Sequence, residues 1–231
     1  MSHVETRFGR SEPARPLVRP RPAQSVEAHP VFAALPPAAR DAILSGARER
    51  LLPPGEALPS TPMLWLVGSG LLVRQASDSA VCVGLIGPGS ALGWETAATG
   101  ETFAVRALDA CRLWEAPIQP VIEIMGQAWL NELVARQAAL RLKALETDAA
   151  CNASHLLLPR LAKWLARFHR ASGGQSLALT QAALAEMLGV QRTSVNAAAL
   201  QLQAAGLARF RRGRVEVLDA DGLRATACAC V

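Results

Sequence analysis

The sequence predicts an α+β fold: a jelly-roll-like antiparallel β-domain, then a long helix, then a C-terminal winged helix-turn-helix. Three patterns support this prediction. From Leu51 to Trp114, short apolar runs alternate with turn residues, as they do in antiparallel sheets. From Ile118 to Cys151, apolar residues recur with helical spacing. Beyond Thr180, two short helical patterns precede an arginine-rich hairpin.

Composition narrows the class of protein. The chain has 231 residues, which allows one or two domains, and its 51% hydrophobic and 19% charged residues are ordinary for globular proteins. No apolar run approaches the roughly 18 residues of a membrane span, and the N-terminus lacks the apolar core of a signal peptide. We therefore expect a cytoplasmic protein with no membrane partner. The five cysteines lack framework spacing, which argues against a secreted disulfide scaffold.

The N-terminal half divides into a tail and a β-domain. Residues 1–28 are rich in Pro and Arg without apolar periodicity, so a disordered tail is predicted. The β-domain, residues 29–117, begins with a helical lead-in at Pro30–Leu35 and Ala38–Leu44. Its predicted strands are Leu64–Val67, Leu71–Val73, Val81–Ile86, Phe103–Ala107 and Cys111–Trp114. Turns are predicted at Pro53-Pro54-Gly55, Gly68-Ser69-Gly70, Gly87-Pro88-Gly89 and Thr99-Gly100.

Two short helices joined by a tight turn are predicted beyond Thr180. Thr180 suits the N-cap of the first helix, and Gly189 can adopt the positive φ that ends it. The second helix is predicted over Arg192–Ala205, and its inward stripe is Val195, Ala199 and Leu202. Its first turn shows polar side chains, as in a helix-turn-helix that presents its second helix to base edges. The alternative is an ordinary helical hairpin whose polar residues face water.

A β-hairpin is predicted directly after these helices, from Arg209 to Val217, with an Arg-Gly turn. Its four arginines suit phosphate contacts beside the major groove. Residues 160–231 hold 10 Lys/Arg against 4 Asp/Glu, whereas residues 26–159 hold 9 against 13. The basic excess is therefore local, which favours a nucleic-acid face over general solubility.

The same residues carry a family resemblance. The run TQAALAEMLGVQRTSVN, followed by AGLARFRRGRVEVLD, resembles the winged helix-turn-helix of Crp/Fnr-type bacterial transcription regulators. Ala150-Cys151-Asn152, Arg160–Leu165 and the closing Ala227-Cys228-Ala229-Cys230 are similar to one branch of that family. The resemblance implies a β-roll sensor like a cyclic-nucleotide-binding domain, followed by a DNA-binding domain at residues 152–231.

Residues 118–151 are predicted to form a connecting helix with a broad apolar stripe, made of Leu130, Leu133, Val134, Leu140 and Leu145. In the family that it resembles, this helix pairs with its twin. The resemblance therefore implies a homodimer on pseudo-palindromic, double-stranded promoter DNA, with one recognition helix in each half-site. It also implies RNA polymerase as a partner.

The resemblance places base readout at the start of the second helix. Arg192 matches the base-contacting Arg of the family, and Asn196, one turn later, suits adenine. Thr193 stands where many members have Glu, and Ala197 stands where others have a second Arg, so the operator cannot be taken from relatives. The residues expected to contact DNA are Thr180, Gln181, Gln191, Arg192, Thr193, Ser194, Asn196, Arg209, Arg211, Arg212 and Arg214.

Cyclic-nucleotide binding is not expected in the β-domain. Members that bind it carry a Phe-Gly-Glu turn for the ribose and an Arg for the phosphate. Here Trp94 stands at the Glu position, beside Glu95, and Glu101 stands where the Arg belongs, so a carboxylate would repel the phosphate. Arg106 could substitute only if the strand register slips. The candidate effector pocket consists of Gly93, Trp94, Glu95, Glu101, Thr102 and Arg106, and the sequence does not identify its ligand.

The sequence lacks the ligands that an iron–sulfur or haem sensor would need. An Fnr-like iron–sulfur centre needs cysteines near the N-terminus, and a haem needs an axial ligand, whereas His29 is expected at the surface. Three cysteines with apolar neighbours are predicted to pack as small hydrophobes, namely Cys82, Cys111 and Cys151. Cys228 and Cys230 have chelating spacing, but without two further ligands nearby no metal site is predicted.

No enzymatic activity is predicted. The sequence contains no Gly-rich phosphate loop, no His-x-x-x-His pair and no Ser-His-Asp constellation. A metal-dependent jelly-roll enzyme would need histidines inside its β-domain, and none lies between His29 and His155. The alternative to a DNA-binding regulator is a β-roll interaction module whose helical tail binds a protein.

Overall fold

The computed structural model describes residues 25–76 and 79–230. Most of the tail predicted for residues 1–28 lies outside the described residues, but Val26–Ala28 form a 3₁₀ helix. The prediction that His29 lies at the surface is wrong, because its side chain is 2% exposed. Its Nδ1 accepts a hydrogen bond from the backbone N–H of Val31 (3.3 Å) and so caps the first α-helix. Val26, just before the predicted start of the β-domain, also packs against its core.

The β-domain consists of two antiparallel sheets. Its strands are β1 (Arg48–Leu52), β2 (Met63–Ser69), β3 (Leu72–Gln75), β4 (Cys82–Ile86), β5 (Ala91–Leu92), β6 (Val105–Ala107) and β7 (Cys111–Pro117). One sheet has the order β1-β7-β2-β5 and the other β4-β3-β6. All five predicted strands are present. Two strands were not predicted: β5, which has two residues, and most of β1, whose charged positions pair with β7 at an edge of its sheet.

Helices flank and follow the sheets. They are α1 (Pro30–Ala34), α2 (Pro37–Gly46), α3 (Trp94–Thr99), α4 (Gln119–Met125), α5 (Gln127–Ser154), α6 (Leu157–Ala171), α7 (Gln181–Leu188), α8 (Arg192–Ala204) and α9 (Ala220–Thr226). The single helix predicted for residues 118–151 is two helices, because Gly126 has φ 86° and interrupts the hydrogen-bonded turns. None of the helices in the described ranges is long and apolar enough to cross a membrane.

The long helix α5 has 28 residues, about 42 Å at 1.5 Å per residue. Within the described chain it buries only Leu130 and Cys151 fully. Of the predicted apolar stripe, Leu133, Val134 and Leu145 are half-buried, whereas Leu140 is 73% exposed. Leu142 is 59% exposed as well. A single chain therefore leaves apolar surface of α5 in water.

The C-terminal domain has its own core, which extends onto the β-domain. The buried side of α6 presents Leu161, Leu165 and Phe168 to this core, and α8 contributes Val195 and Leu202. The same cluster includes β-domain residues, namely Leu71, Val73 and Cys82. The C-terminal domain is therefore packed against the sheet that contains β3 and β4.

We expect Gly93→Ala to lower the free energy of unfolding much more than Gly100→Ala. Both glycines have a positive φ (106° and 75°), which costs other residues about 1–2 kcal/mol. An added Cβ at Gly93 would also lie 2.0 Å from the carbonyl oxygen of Met63, whereas at Gly100 nothing lies within 4 Å. Chemical denaturation should show losses of about 3 kcal/mol or more and about 1 kcal/mol, respectively. Equal losses would mean that the Met63 contact has no effect.

Candidate nucleic-acid interface

The helix-turn-helix predicted from the sequence is present, with α7 and α8 as its two helices. Thr180 caps α7, since its Oγ1 accepts a hydrogen bond from the backbone N–H of Ala183 (3.0 Å). Gly189 ends α7 with φ 64° and ψ 40°. Arg160 of α6 donates to the carbonyl of Leu188 (3.1 Å), which satisfies one of the last carbonyls of α7. The turn before α8 is therefore fixed by backbone geometry and by α6.

The recognition helix α8 divides into a buried side and an exposed side. The buried residues are Val195, Ala198, Ala199 and Leu202, which includes the predicted inward stripe. The residues expected to meet DNA at its start are all exposed, namely Gln191, Arg192, Thr193, Ser194 and Asn196. Arg192 and Asn196 are four residues apart and so share one side of the helix. Arg192 makes no hydrogen bond or ion pair with the described residues, so its guanidinium is available to a ligand.

The wing is the hairpin of β8 (Ala208–Arg211) and β9 (Arg214–Val217). Arg212 (φ 46°) and Gly213 (φ 75°) form its two-residue turn. Positive φ at both positions is typical of the type I′ turn, whose twist matches that of a hairpin. Two backbone hydrogen bonds between Leu177 and Val215, both 2.9 Å, join the wing to the segment before α7. The predicted Arg-Gly turn is thus confirmed.

The four wing arginines differ in their surroundings. Arg209 pairs with Glu216 (3.1 Å), and Arg214 donates to the Ser176 hydroxyl (2.9 Å). Arg211 and Arg212 at the tip are exposed and make no hydrogen bond or ion pair within the described ranges. The tip adjoins the start of α7, because an added Cβ at Gly213 would lie 3.4 Å from Thr180 Cγ2. Arg211 and Arg212 are therefore the wing cations best placed for a phosphate.

The residues of the predicted effector pocket are divided among the start of α3, the loop before β6 and β6 itself. Gly93, Trp94 and Glu95 begin α3, and Trp94 is buried with its ring edge-on to Trp129 of α5 (5.4 Å between centroids). Glu101 and Thr102 are exposed in the loop before β6. Arg106 donates to the carbonyl of Gly55 and to Gln75 Oε1 (3.4 Å).

Glu95 is the centre of a buried ion-pair group. It pairs with Arg74 of β3 (2.5 Å) and with Arg141 of α5. Both guanidinium groups lie over the ring of Phe103, at 4.3 Å and 5.5 Å from its centroid. Burial lowers the pKa of Arg74, and the Glu95 carboxylate opposes that shift. The Glu95 carboxylate is therefore occupied by two ion pairs, which link the β-domain to α5.

The structure also assembles a group of residues that the sequence analysis did not bring together, here called the Cys₃His cluster: Cys151, His155, Cys228 and Cys230. Their ligand atoms all lie within 4.8 Å of one another. The expectation that Cys151 packs as an isolated small hydrophobe is wrong, because Lys163 Nζ lies 3.0 Å from its Sγ. Cys82 and Cys111, by contrast, are buried as expected. The spacing Cys-x-x-x-His, which places two ligands one helical turn apart, is the signal that could have revealed the cluster.

A capped helix pair followed directly by an arginine-rich wing defines a winged helix-turn-helix, a class of module that reads DNA in the major groove. Comparison with known families agrees with this geometry. Residues 159–226 match the Crp-like helix-turn-helix domain. No match to a curated protein sequence is significant.

Solved structures share the fold over both domains. FixK2 from Bradyrhizobium japonicum has a TM-score of 0.62 at 19% identity, over 79% of this chain and 98% of that one. A Crp/Fnr-family transcriptional regulator from Thermus thermophilus has a TM-score of 0.60 at 23% identity, over 78% and 98%. The c-di-GMP-responsive regulator CLP from Xanthomonas campestris has a TM-score of 0.58 at 20% identity, over 78% and 97%. At these identities the likeness establishes the fold.

The chain therefore carries a Crp-like helix-turn-helix domain, and it shares its fold with solved structures of Crp/Fnr-family proteins.

Proposed function

We propose that the protein regulates transcription as a homodimer that binds a pseudo-palindromic promoter site. The observation that carries this proposal is that Arg192, at the first turn of α8, and Arg211 and Arg212, on the wing, are exposed and make no hydrogen bond or ion pair within the described residues. A helix and a hairpin that only covered a core would not need such cations at the start of α8 and at the tip of the wing. The alternative of a helical tail that binds a protein accounts for none of them.

The proposed contacts fall into two groups. Arg192 suits guanine O6 and N7, and Asn196 and Thr193 lie beside it for neighbouring bases. The other contacts position the protein on the phosphates, from α7 through Thr180 and Gln181, from the start of α8 through Gln191 and Ser194, and from the wing through Arg211 and Arg212. Arg209 pairs with Glu216 and Arg214 with Ser176, but each guanidinium keeps further N–H donors with which it could join them. The wing thus supplies affinity and α8 supplies sequence preference.

We expect Arg192→Ala to abolish specific DNA binding and to leave dimerisation intact. The purified wild type, without added ligand, should select a two-fold-symmetric site from random duplex DNA. The variant should bind that site about 1–3 kcal/mol more weakly per half-site, since one bidentate base contact is lost. Arg192→Lys should lose nearly as much, because an ammonium cannot form the planar fork.

The matched control is Arg48→Ala, which removes the same charge from the exposed strand β1. It should leave the selected site and its affinity unchanged. Unchanged affinity in Arg192→Ala would refute direct readout by Arg192. Retention of DNA by the wild type that depends on salt but not on sequence would contradict specific binding by the unliganded protein.

The dimer proposal rests on the exposed apolar surface of α5. Leu140 is 73% exposed in the single chain, on a helix about 42 Å long that buries little within its own chain. Crp/Fnr regulators bind promoter DNA and act as dimers. We therefore place the two-fold axis along α5, between the connecting helices of two chains that each carry a β-domain (29–117) and a DNA-binding domain (152–231). RNA polymerase at the promoter is the further partner that this arrangement implies.

Leu140→Glu should convert the dimer into a monomer, because it buries a charge at the helix pair without a partner. Sedimentation at micromolar concentration measures the change directly. Leu51→Glu, at a 61% exposed leucine of β1, is the control and should remain dimeric. A dimeric Leu140→Glu protein would place the interface elsewhere.

We further propose that the β-domain does not use cAMP or cGMP. Glu95 is held by Arg74 and Arg141, so it is not available to a ribose, and the side chain of Trp94 fills its own site in the core. Glu101, at the position expected for a phosphate-binding Arg, would repel an anion. These contacts replace the polar groups that a cyclic nucleotide needs.

Isothermal calorimetry with cAMP and with cGMP should therefore show no saturable heat at micromolar concentrations. The wild-type protein is sufficient for this measurement, and its integrity can be confirmed in the same sample by DNA binding. A saturable signal with either nucleotide would overturn this proposal, and the DNA-binding proposal would be unaffected.

A further inference from the structure

The Cys₃His cluster lies where the DNA-binding domain joins α5. Cys151 is in the last turn of α5, and His155 is the residue that ends this helix. Cys228 and Cys230 belong to the segment that follows α9 at the other end of the domain. The Sγ atoms of Cys151 and Cys228 are 3.3 Å apart, and Cys230 Sγ lies 3.6 Å from His155 Nδ1. Residues 77 positions apart in sequence thus converge on one point.

We propose that the Cys₃His cluster binds one zinc ion, in a tetrahedral site that fastens the C-terminal segment to the end of α5. This proposal is independent of the proposed DNA-binding function. Three thiolates with one imidazole are a common ligand set of structural zinc sites.

The geometry fits a single ion. With Zn–S near 2.3 Å and tetrahedral angles, two ligand sulfurs lie about 3.8 Å apart, and a sulfur and a nitrogen about 3.5 Å apart. The observed separations of 3.3 Å and 3.6 Å lie within about 0.5 Å of these values, and the 4.8 Å limit for the whole cluster within about 1.3 Å. Small side-chain rotations would complete the coordination. His155 is exposed and Cys230 half-buried, which gives an ion a path to the two buried thiols.

The charged side chains beside the cluster have one more positive charge than negative charge. Lys163 is 1% exposed, and its ammonium pairs with Asp148 (2.9 Å). Arg167 pairs with the same carboxylate (3.1 Å), so two cations share one anion. A zinc ion with three thiolates and a neutral imidazole carries a charge of −1. The zinc site would therefore neutralise the charge of Lys163, Arg167 and Asp148. The hydrogen bond from Lys163 to Cys151 Sγ would hold that ligand in position for the ion.

The thiol chemistry is consistent with this site. Burial alone would raise the pKa of the Cys151 thiol, but hydrogen bonds with Lys163, His155 and Cys228 lower it to about 7. Burial and the neighbouring Cys151 raise the pKa of Cys228. A cysteine binds zinc as the thiolate, so metal binding would release protons from these thiols.

A disulfide accounts for less of the geometry. A Cys151–Cys228 disulfide would use two of the four ligands and would leave His155 and Cys230 unexplained. It would also leave the ammonium of Lys163 beside a neutral disulfide sulfur. A multi-iron cluster needs thiolates that enclose several metal atoms, whereas these ligand atoms converge on the space of one.

Metal binding by the full-length protein tests the proposal. Reduced protein, stripped of metal, is titrated with Zn²⁺ against a chelator, and with Co²⁺ as a spectroscopic probe. We expect one ion per chain, and cobalt spectra typical of tetrahedral thiolate coordination. Cys230→Ser and His155→Gln alter side chains that are not buried, so both should fold. Each should weaken zinc binding by more than about 100-fold, and Lys163→Gln by about 10–100-fold.

The matched control is Cys82→Ser, which removes a buried cysteine outside the cluster and should still bind one ion. The proposal is overturned if wild type binds no stoichiometric zinc, or if Cys230→Ser binds it as tightly as wild type. Isolation of a Cys151–Cys228 disulfide, or of several iron atoms per chain, would also overturn it. These measurements contain no DNA, so their failure is distinguishable from failure of the proposed DNA binding.

Discussion

The packing of α6 is the constraint on which the C-terminal half depends. Its buried side chains contact α8 and α9 and also reach the β-domain through Leu71 and Val73. Phe168 lies beside Trp164, with ring centroids 5.5 Å apart. From the same helix Arg160 reaches the end of α7. Because α6 contacts each part of the domain, the packing of its side chains sets the orientation of α8 relative to the wing.

Two buried charge groups connect this packing to the long helix α5. In one, Glu95 joins Arg74 of the β-domain to Arg141 of α5. In the other, Asp148 of α5 holds Lys163 and Arg167 of α6. A buried charge without its partner is strongly destabilising, so these groups resist displacement of either domain along α5. The Cys₃His cluster lies next to the second group and adds the segment after α9 to the same junction.

The wing depends on local sequence for its turn and on tertiary contacts for its position beside α7 and α8. The Arg212-Gly213 turn follows from local conformational preference, even though Arg is an unusual residue at positive φ. The position of the wing beside α7 and α8 depends on contacts from elsewhere. Gln203 of α8 accepts from the backbone N–H of Phe210 (2.8 Å), and Leu177 pairs with Val215.

The sequence by itself determined the features that depend on neighbouring residues. Apolar periodicity, the Thr180 cap, Gly189 and the Arg-Gly turn specified the helix-turn-helix and its wing, because their physical cause lies within a few residues. Only the tertiary structure decided which distant side chains meet. The buried state of His29, the partners of Glu95 and the convergence of Cys151 with Cys228 depend on how separate elements pack. The separation of two residues in sequence does not determine their distance in space, because the chain between them can fold in many ways.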